Sequence, residues 1–256
     1  MKNSSKPYFR TILLVLSLSQ LSGCLGSLYD RATAPGDAEP KSEPLSKRGN
    51  MPSYEVFGKR YYTMKSAKGY VERGIASWYG PKFHGRKTSN GETYDMHAMT
   101  AAHTRLPLPT YVRVTNLENG RSTVVRVNDR GPFKKNRIID LSYAAATKLG
   151  MIAKGTGLVE VRTVKAGAAD MPPVAPKPIK GNIYIQVGAY TNPVNADRMK
   201  ARLLRQLHEP VRIAMGVNNG QTLYRVQAGP MRDVDSADRL AAKIFELGMN
   251  TFVVID

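Results

Sequence analysis

The stretch "STVVRVNDRGPF", Ser122–Phe133, decides how the middle of this chain folds. Its first half is rich in valine, which favours a β-strand, and its second half groups Asn, Asp, Gly and Pro, which favour a turn. The sequence therefore predicts a strand that ends at Asp129 in a tight turn. Two interpretations of Asp129 remain open: it is a turn residue, or it is a carboxylate that the strand end presents to a ligand.

Four similar stretches surround this one, and each is short, β-branched or aromatic, and bounded by Gly, Asn or Pro. The exception is "SYAAATKLG", where Ser142 can cap a helix, the alanines favour it, and Gly150 ends it. We therefore predict a compact β-barrel with one short helix over residues 54–165, with its core at 74–164. The four stretches are "GIASWYG" (Gly74–Gly80), "TYVRVTNL" (Thr110–Leu117), "RIIDLS" (Arg137–Ser142) and "GLVEVRTV" (Gly157–Val164).

The C-terminal part of the chain contains an internal repeat. Ile185–Gly188 recurs as Val226–Gly229, and Ala196–Arg198 recurs as Ala237–Arg239, at an offset of 41 residues in both cases. Each copy has the pattern of a strand, a turn and an amphipathic helix, and two more apolar stretches supply further strands. Residues 181–256 are therefore predicted to form a βαββαβ, ferredoxin-like unit whose helices cover one face of the sheet.

The alternation of side chains along the repeated strands defines the other, open face of this sheet. Tyr184 and Gln186 point to it from the first strand, and Leu223, Arg225 and Gln227 from the second. Polar residues are the normal occupants of a solvated sheet face. The repetition of the glutamine favours the alternative, a polar binding face.

The N-terminus has the pattern of an export signal over residues 1–23. Lys2, Lys6 and Arg10 precede the apolar stretch "TILLVLSLSQLSG", which is too short to span a bilayer stably. The following "LSGC" resembles the bacterial lipobox, and Cys24 is the only cysteine of the chain. We expect lipid on Cys24, and the leucine after it suggests the outer membrane. The alternative is an ordinary signal with a chance cysteine.

Two segments have the composition of linkers. Residues 24–53 are polar and rich in Pro, Gly and Ser, which predicts a flexible tether. Residues 166–180, "AGAADMPPVAPKPIK", contain four prolines and predict a stiffer, extended linker between two folded domains.

The positive charge of the chain is concentrated in the predicted barrel. The whole chain carries a formal charge of +18, and residues 74–164 hold fourteen basic residues against six acidic ones, whereas residues 181–256 hold nine against seven. An exported lipoprotein rarely meets nucleic acid, so anionic cell-wall polymer or lipopolysaccharide is the expected neighbour. RNA binding by the βαββαβ unit is disfavoured because its central strands lack paired stacking aromatics.

Three residues of the predicted barrel are candidates for acid–base chemistry: Glu92 in "TSNGETYD", His103 in "AAHTRLPLP", and Asp129. We expect each to lie in a loop between strands, where folds commonly expose functional groups. Cleavage of a glycosidic bond typically uses paired carboxylates, which Glu92 and Asp129 can supply. The alternative is a turn glutamate, a buried histidine with satisfied hydrogen bonds, and a capping aspartate. The pattern calls for no cofactor or metal.

Five motifs in order resemble the rare lipoprotein A family: "GIASWYG", "TSNGE", "AMTAAHTRLP", "VNDRGP" and "IIDLSYAAATKLG". Members are septal-ring lytic transglycosylases, lyases with a six-stranded double-psi β-barrel. The repeats "IYIQVGAY" and "YRVQAGP" look like a SPOR domain, which recognises peptidoglycan glycan stripped of stem peptides (denuded glycan) at division sites. The resemblance implies endolytic cleavage between N-acetylmuramic acid (MurNAc) and N-acetylglucosamine (GlcNAc), which leaves 1,6-anhydro-MurNAc ends and aids daughter-cell separation.

The resemblance also assigns roles to residues of the barrel. Glu92 and Asp129 match the acidic active-site positions of the family, and His103 matches its histidine. Asp129 would protonate the glycosidic oxygen and then deprotonate the 6-hydroxyl of MurNAc, while Glu92 stabilises positive charge and His103 positions a carboxylate or a sugar hydroxyl. The sequence leaves open which of Asp129 and Glu92 is the acid/base.

In the C-terminal domain the resemblance implies glycan contacts by Gln186 and Arg225, beside Gln227 and Tyr184. The protein would be periplasmic, anchored to outer-membrane lipid through Cys24, and enriched at the division site. The competing interpretation is a non-catalytic glycan-binding lipoprotein that couples the envelope to the septum, since a fold alone does not prove catalysis.

Overall fold

The computed structural model describes residues 36–134, 136–166, 182–218 and 220–256. The predicted signal, the expected lipid site at Cys24 and nearly all of the proline-rich linker lie outside the described residues. Within the ranges given, no helix combines the length and apolar character needed to cross a membrane.

Six strands close into a barrel, as predicted. They follow a hairpin of β1 (Ser53–Val56) and β2 (Lys59–Tyr62) and run in the order β3-β7-β4-β6-β5-β8 around the barrel. Neighbours are antiparallel except β3–β7 and β4–β6, which are parallel. The barrel strands are β3 (Val71–Trp78), β4 (Thr100–His103), β5 (Thr110–Asn116), β6 (Ser122–Asp129), β7 (Arg137–Leu141) and β8 (Thr156–Thr163).

The interior of the barrel is filled by the alternate apolar residues of its strands, such as Val125 and Val127 of β6 and Ile139 and Leu141 of β7, all of which are fully buried. The helix α1 (Tyr143–Lys148) packs its alanines into the same core. As predicted, the side chain of Ser142 caps α1 by accepting a hydrogen bond from the backbone of Ala145. Gly150 follows the helix with φ of +70°, a conformation that favours glycine.

Strand β4 joins the ends of two strands that are distant in sequence. Ala102 of β4 pairs with Asp129 of β6 on one side and with Asp140 of β7 on the other. Between Ala101 and Ala102 the register with β6 shifts by one residue, which marks a bulge at Asn128. A bulge changes the direction of the side chains around it, and here it lies beside the turn of interest.

The segment before the barrel differs from the flexible tether that we expected. From residue 36 to residue 50 it forms a strap along the barrel: Ala38 N donates to Val124 O at 3.0 Å, and Ser46 N donates to Leu108 O at 2.8 Å. The Asn50 side chain donates to Leu108 O and accepts from Leu108 N, at 2.7 and 2.8 Å. The polar composition of this segment was misleading because hydrogen bonds and ion pairs, more than apolar burial, hold the strap to the barrel.

The C-terminal domain is the predicted βαββαβ unit. Its four strands form an antiparallel sheet in the order β10-β11-β9-β12, and its helices cover one face. Ile183, Ile185, Val226 and Ala228 are fully buried against the helices, as the alternation predicts. The elements are β9 (Ile183–Tyr190), α2 (Pro193–Leu204), β10 (Val211–Asn218), β11 (Gln221–Met231), α3 (Val234–Glu246) and β12 (Phe252–Ile255).

Candidate active site

The carboxylate of Asp129 is fixed by hydrogen bonds at the end of β6. Its Oδ1 accepts from Ser89 N at 2.7 Å, from Ser89 Oγ at 2.6 Å and from Arg130 N at 2.7 Å. Its Oδ2 accepts from Tyr79 Oη at 3.2 Å. Asp129 is the last residue of a strand rather than part of a loop, so the barrel itself determines its position.

Tyr79, directly after β3, is a permanent donor in this site. Burial raises the pKa of Tyr79 well above its ordinary value, and the nearby carboxyls of Asp129 and Asp140 raise it further. Its ring contacts those of Tyr94 and Phe83, with centroids 4.9 and 5.7 Å away. The hydroxyl therefore remains protonated and is aimed at Asp129 by an aromatic cluster.

Glu92 is held more tightly than its place in an exposed-looking motif suggests. Its Oε2 accepts from Asn128 Nδ2 and its Oε1 from Asn90 Nδ2, each at 2.8 Å, and Arg126 Nη1 lies 2.8 Å from both oxygens. Burial opposes ionisation of Glu92, but the hydrogen bonds from Asn128, Arg126 and Asn90 outweigh it, so its pKa lies below the ordinary value. Glu92 is thus an ionised carboxylate at neutral pH, suited to stabilise positive charge.

The loop that carries Glu92 and the turn that carries Asp129 hold each other. Ser89 of the loop binds Asp129, and Asn128 of the turn binds Glu92. Each motif therefore completes the hydrogen bonds of the other, although the residues are about forty positions apart in the chain. Among the described residues, the two carboxylates have no hydrogen-bond partner in common.

The strap reaches the same site through Arg126. Arg126 Nη2 lies 2.7 Å from Glu43 Oε2, and its Nε lies 2.9 Å from Glu43 Oε1. Hydrogen bonding to Arg126 lowers the pKa of Glu43, against a smaller opposing effect of burial. One guanidinium thus connects a strap residue with a candidate catalytic carboxylate.

His103 lies elsewhere in the barrel, at the end of β4, and is only 1% exposed. Its Nδ1 accepts from Arg105 N at 3.1 Å and from Leu106 N at 2.9 Å, so the proton belongs on Nε2, which lies 2.8 Å from Tyr70 Oη. Burial, helped by the charges of Arg105 and Arg130, lowers the pKa of His103 to about 3. The ring is therefore neutral, and its hydrogen-bond partners are distinct from those of Glu92 and Asp129.

The contribution of His103 to the site passes through its backbone. Arg130 Nη1 donates to the carbonyl of His103 at 3.0 Å and to that of Leu106 at 2.6 Å, while its Nε donates to Gly49 O at 2.8 Å. Arg130 is buried and directly follows Asp129 in the chain. It ties the turn of Asp129 to β4 and to the strap.

Five further residues around the carboxylates were not singled out from the sequence: Tyr79, Ser89, Arg126, Asn128 and Asp140. All five lie inside stretches that the sequence analysis quoted: Ser89 is in the loop of Glu92, and the other four are polar side chains within or directly beside strands. A polar residue at such a position is the signal that could have identified them.

The open face of the C-terminal sheet contains the four predicted glycan contacts, but two of them are covered. Arg212 places its guanidinium 3.5 Å from the ring centroid of Tyr184, and its Nε donates to Gln227 Oε1 at 3.0 Å. As a result Tyr184 and Gln227 are only 6% and 3% exposed. Gln186 accepts a hydrogen bond of 3.4 Å from Gln227, and Gln186 and Arg225 are partly exposed.

Comparison with known proteins agrees with this architecture. A family described as "Lytic transglycolase" matches residues 71–162, and the SPOR domain family matches residues 180–255. The chain is 39% identical to endolytic peptidoglycan transglycosylase RlpA of Pseudomonas aeruginosa, over 84% of this chain and 80% of that protein. It is 41% identical to the protein of the same name from Vibrio cholerae, over 94% of this chain and 95% of that protein.

One solved structure is similar to part of the chain. It is the crystal structure of the RlpA SPOR domain from Pseudomonas aeruginosa, with 36% sequence identity and a TM-score of 0.27, and it covers 28% of this chain and 96% of that chain.

Proposed function

Because the chain belongs to the RlpA family of endolytic peptidoglycan transglycosylases, we propose that it cleaves the MurNAc–GlcNAc bond within denuded glycan strands. The observation that carries the proposal is the carboxylate of Asp129, fixed at a strand end by Ser89, Arg130 and Tyr79, beside the ionised Glu92. A group fixed in this way is preorganised for proton transfer.

Asp129 exchanges the proton in this proposal. It protonates the glycosidic oxygen as the bond to the anomeric carbon of MurNAc breaks, and it then takes the proton of the MurNAc 6-hydroxyl. The oxygen of that hydroxyl bonds to the anomeric carbon, so the product is a 1,6-anhydro end and no water is consumed. Glu92 stabilises the positive charge of the oxocarbenium-like transition state.

His103 acts as a positioning residue in this proposal. Its neutral, fully bonded ring fixes the end of β4, and its carbonyl holds Arg130 and therefore the turn of Asp129. A buried ring with both nitrogens engaged is not suited to contact a sugar directly.

The C-terminal domain supplies binding to glycan strands. Gln186 and Arg225 are the accessible contacts on the open face, and Tyr184 and Gln227 become available when Arg212 moves aside. Binding by a linked domain raises the concentration of substrate near the barrel without altering the chemistry there.

We further propose that the protein is exported, carries lipid on Cys24 and lies at the periplasmic side of the outer membrane, enriched where the septal wall is processed. The basic start, the short apolar stretch and the "LSGC" motif support this localisation.

A non-catalytic lipoprotein that only holds glycan is the alternative, and the full engagement of Glu92 in hydrogen bonds favours it. Product analysis distinguishes the two functions. Purified protein is incubated with denuded glycan strands, and the ends are identified by mass spectrometry. We expect shortened strands with 1,6-anhydro-MurNAc ends; reducing ends would indicate a hydrolase, and intact strands that still bind the protein would indicate the lipoprotein scaffold.

A further inference from the structure

A third carboxylate, Asp140 of β7, lies beside Asp129 and has no role in the reaction described above. Only Ala102 separates the two residues in the sheet, because it pairs with both. The turn after Asp129 also reaches Asp140: a Cβ placed on Gly131 would lie 3.6 Å from the Cβ of Ala102 and 4.0 Å from Asp140 Oδ2. Glycine at this position leaves the space between the turn and the Asp140 carboxyl open.

The two oxygens of Asp140 have different environments. Oδ1 accepts a short hydrogen bond from Ser77 Oγ, which in turn accepts from Arg137 Nη1 at 2.7 Å. In the part of the chain that the structure describes, no group donates a hydrogen bond to Oδ2. This oxygen, the one that faces Gly131, is therefore available to hold a proton.

The charged and titratable groups that face Asp140 are Arg137 on its own strand, Asp129 at the end of β6, Tyr79 after β3, and Tyr94 in the loop before β4. Burial raises the pKa of Asp140, and the charge of Asp129 adds to that effect, while Ser77 and Arg137 act in the opposite direction without cancelling it.

We propose that Asp140 is the proton-storing partner of Asp129, so that the two carboxyls share one proton in the resting site. Asp129 receives three hydrogen-bond donors on Oδ1, whereas Asp140 receives one donor on Oδ1 and its Oδ2 is left to hold the proton. Two neighbouring carboxyls of like charge seldom ionise together, which is the principle of paired acid sites.

This proposal rests on the proposed function, and it supplies the proton that the reaction needs. The pair loses one proton to the glycosidic oxygen as the bond to the anomeric carbon breaks. It regains one proton from the 6-hydroxyl as that oxygen bonds to the anomeric carbon. The pair therefore returns to its starting state, and no further acid or base is required. Asp129 contacts the sugar in this scheme, and Asp140 acts through Asp129 as a positioning residue.

The first test is the pH profile of Asp140→Asn in the full chain. We expect the rate of anhydro-end formation at neutral pH to fall by about 10²-fold, with KM little changed. Without Asp140 the site no longer stores the proton that the pair shares, so the site loses its proton at lower pH and the alkaline limb of the profile moves to lower pH. Ser77→Ala removes the donor to Asp140 and should move the same limb to higher pH. Glu118→Gln, an exposed carboxyl paired with Lys154, is the matched control with an unchanged profile.

Opposite shifts in two variants cannot arise from partial unfolding, and Ser77→Ala alone decides the matter if the Asn variant does not fold. The proposal is overturned if a folded Asp140→Asn protein has the same pH–rate profile as the wild type. It is also overturned if the rate falls but the limbs of the profile stay at the same pH.

A second readout does not depend on activity. In a carbon-13 NMR titration of the carboxyl groups, Asp140 should lose its proton at lower pH in Asp129→Asn than in the wild type, because the neighbouring charge is gone. If Asp140 titrates at the same pH in Asp129→Asn as in the wild type, the shared proton is refuted, even if the wild-type protein forms anhydro ends. If the titration of Asp140 moves as expected but the wild-type protein forms no anhydro ends, only the proposed function is refuted.

Discussion

The barrel site and the open face of the C-terminal sheet hold their polar groups in different ways. Asp129 accepts hydrogen bonds from Ser89, Arg130 and Tyr79, two of them from backbone N–H groups. Gln186 of the sheet face accepts one long side-chain hydrogen bond of 3.4 Å from Gln227. Proton transfer requires a fixed geometry, whereas side chains that bind a flexible polymer can adjust to it. The difference predicts that substitutions in the two regions change different kinetic constants.

The largest effect is expected for Asp129→Asn. The amide has almost the same volume but cannot exchange the proton, so the rate of anhydro-end formation should fall by about 10² to 10⁴-fold with KM little changed. Initial rates measured by mass spectrometry, with Glu118→Gln as the control, give the comparison. Nearly full activity of the Asn variant would show that Asp129 is not the acid/base. The fixed geometry of the barrel site would then have no catalytic consequence that distinguishes it from the open sheet face.

A smaller effect, on binding alone, is expected for Gln186→Ala combined with Arg225→Ala. Each substitution removes hydrogen bonds worth about 1 kcal/mol, so the affinity of the double variant for denuded glycan should fall roughly thirtyfold, while kcat stays unchanged. Asn195→Ala with Arg198→Ala is the matched control, because this hydrogen-bonded amide–arginine pair lies on α2 and is exposed. Equal binding by the two double variants would mean that the sheet face is merely solvated.

The smallest effect at neutral pH is expected for His103. Its protonation makes the free energy of unfolding depend on pH in the acidic range. Its pKa is about 3 in the folded protein against an ordinary value of 6.5, so the stability it contributes is complete above pH 6.5 and is lost as the pH falls towards 3. The expected loss is about 1.4 kcal/mol per pH unit in that range. His103→Asn should remove this slope in urea unfolding, whereas His208→Asn, at an exposed position, should keep it. Parallel curves for wild type and His103→Asn would contradict the buried neutral ring.

Most of the barrel was predictable because its strands carry their own signals. Valine-rich and aromatic stretches end at Gly, Asn or Pro, and five of the six strands follow this pattern. Strand β4, Thr100–His103, was missed because it has only four residues, two of them alanine. Its omission placed His103 in a loop, when the ring is in fact buried beside Tyr70.

The candidate site was only partly predictable. Glu92 and Asp129 stand out because acids in Gly- and Asn-rich turns suggest presented carboxylates. Ser89, Arg126 and Asp140 did not stand out, because nothing local shows that they meet those acids. The strap was likewise hidden, since its contacts are single hydrogen bonds and ion pairs to a distant surface.

The sequence by itself determined five of the six barrel strands, the βαββαβ repeat and the two acids Glu92 and Asp129, because strand and turn propensities act over a few neighbouring residues. Only the tertiary structure decided which groups surround those acids. Ala102 brings Asp129 and Asp140 to the same place because β4 lies between β6 and β7 in the closed barrel. Likewise, Arg212 covers Tyr184 across the sheet. Such contacts depend on which strands become neighbours and in which register, and barrel closure and sheet pairing fix both across long distances in the chain.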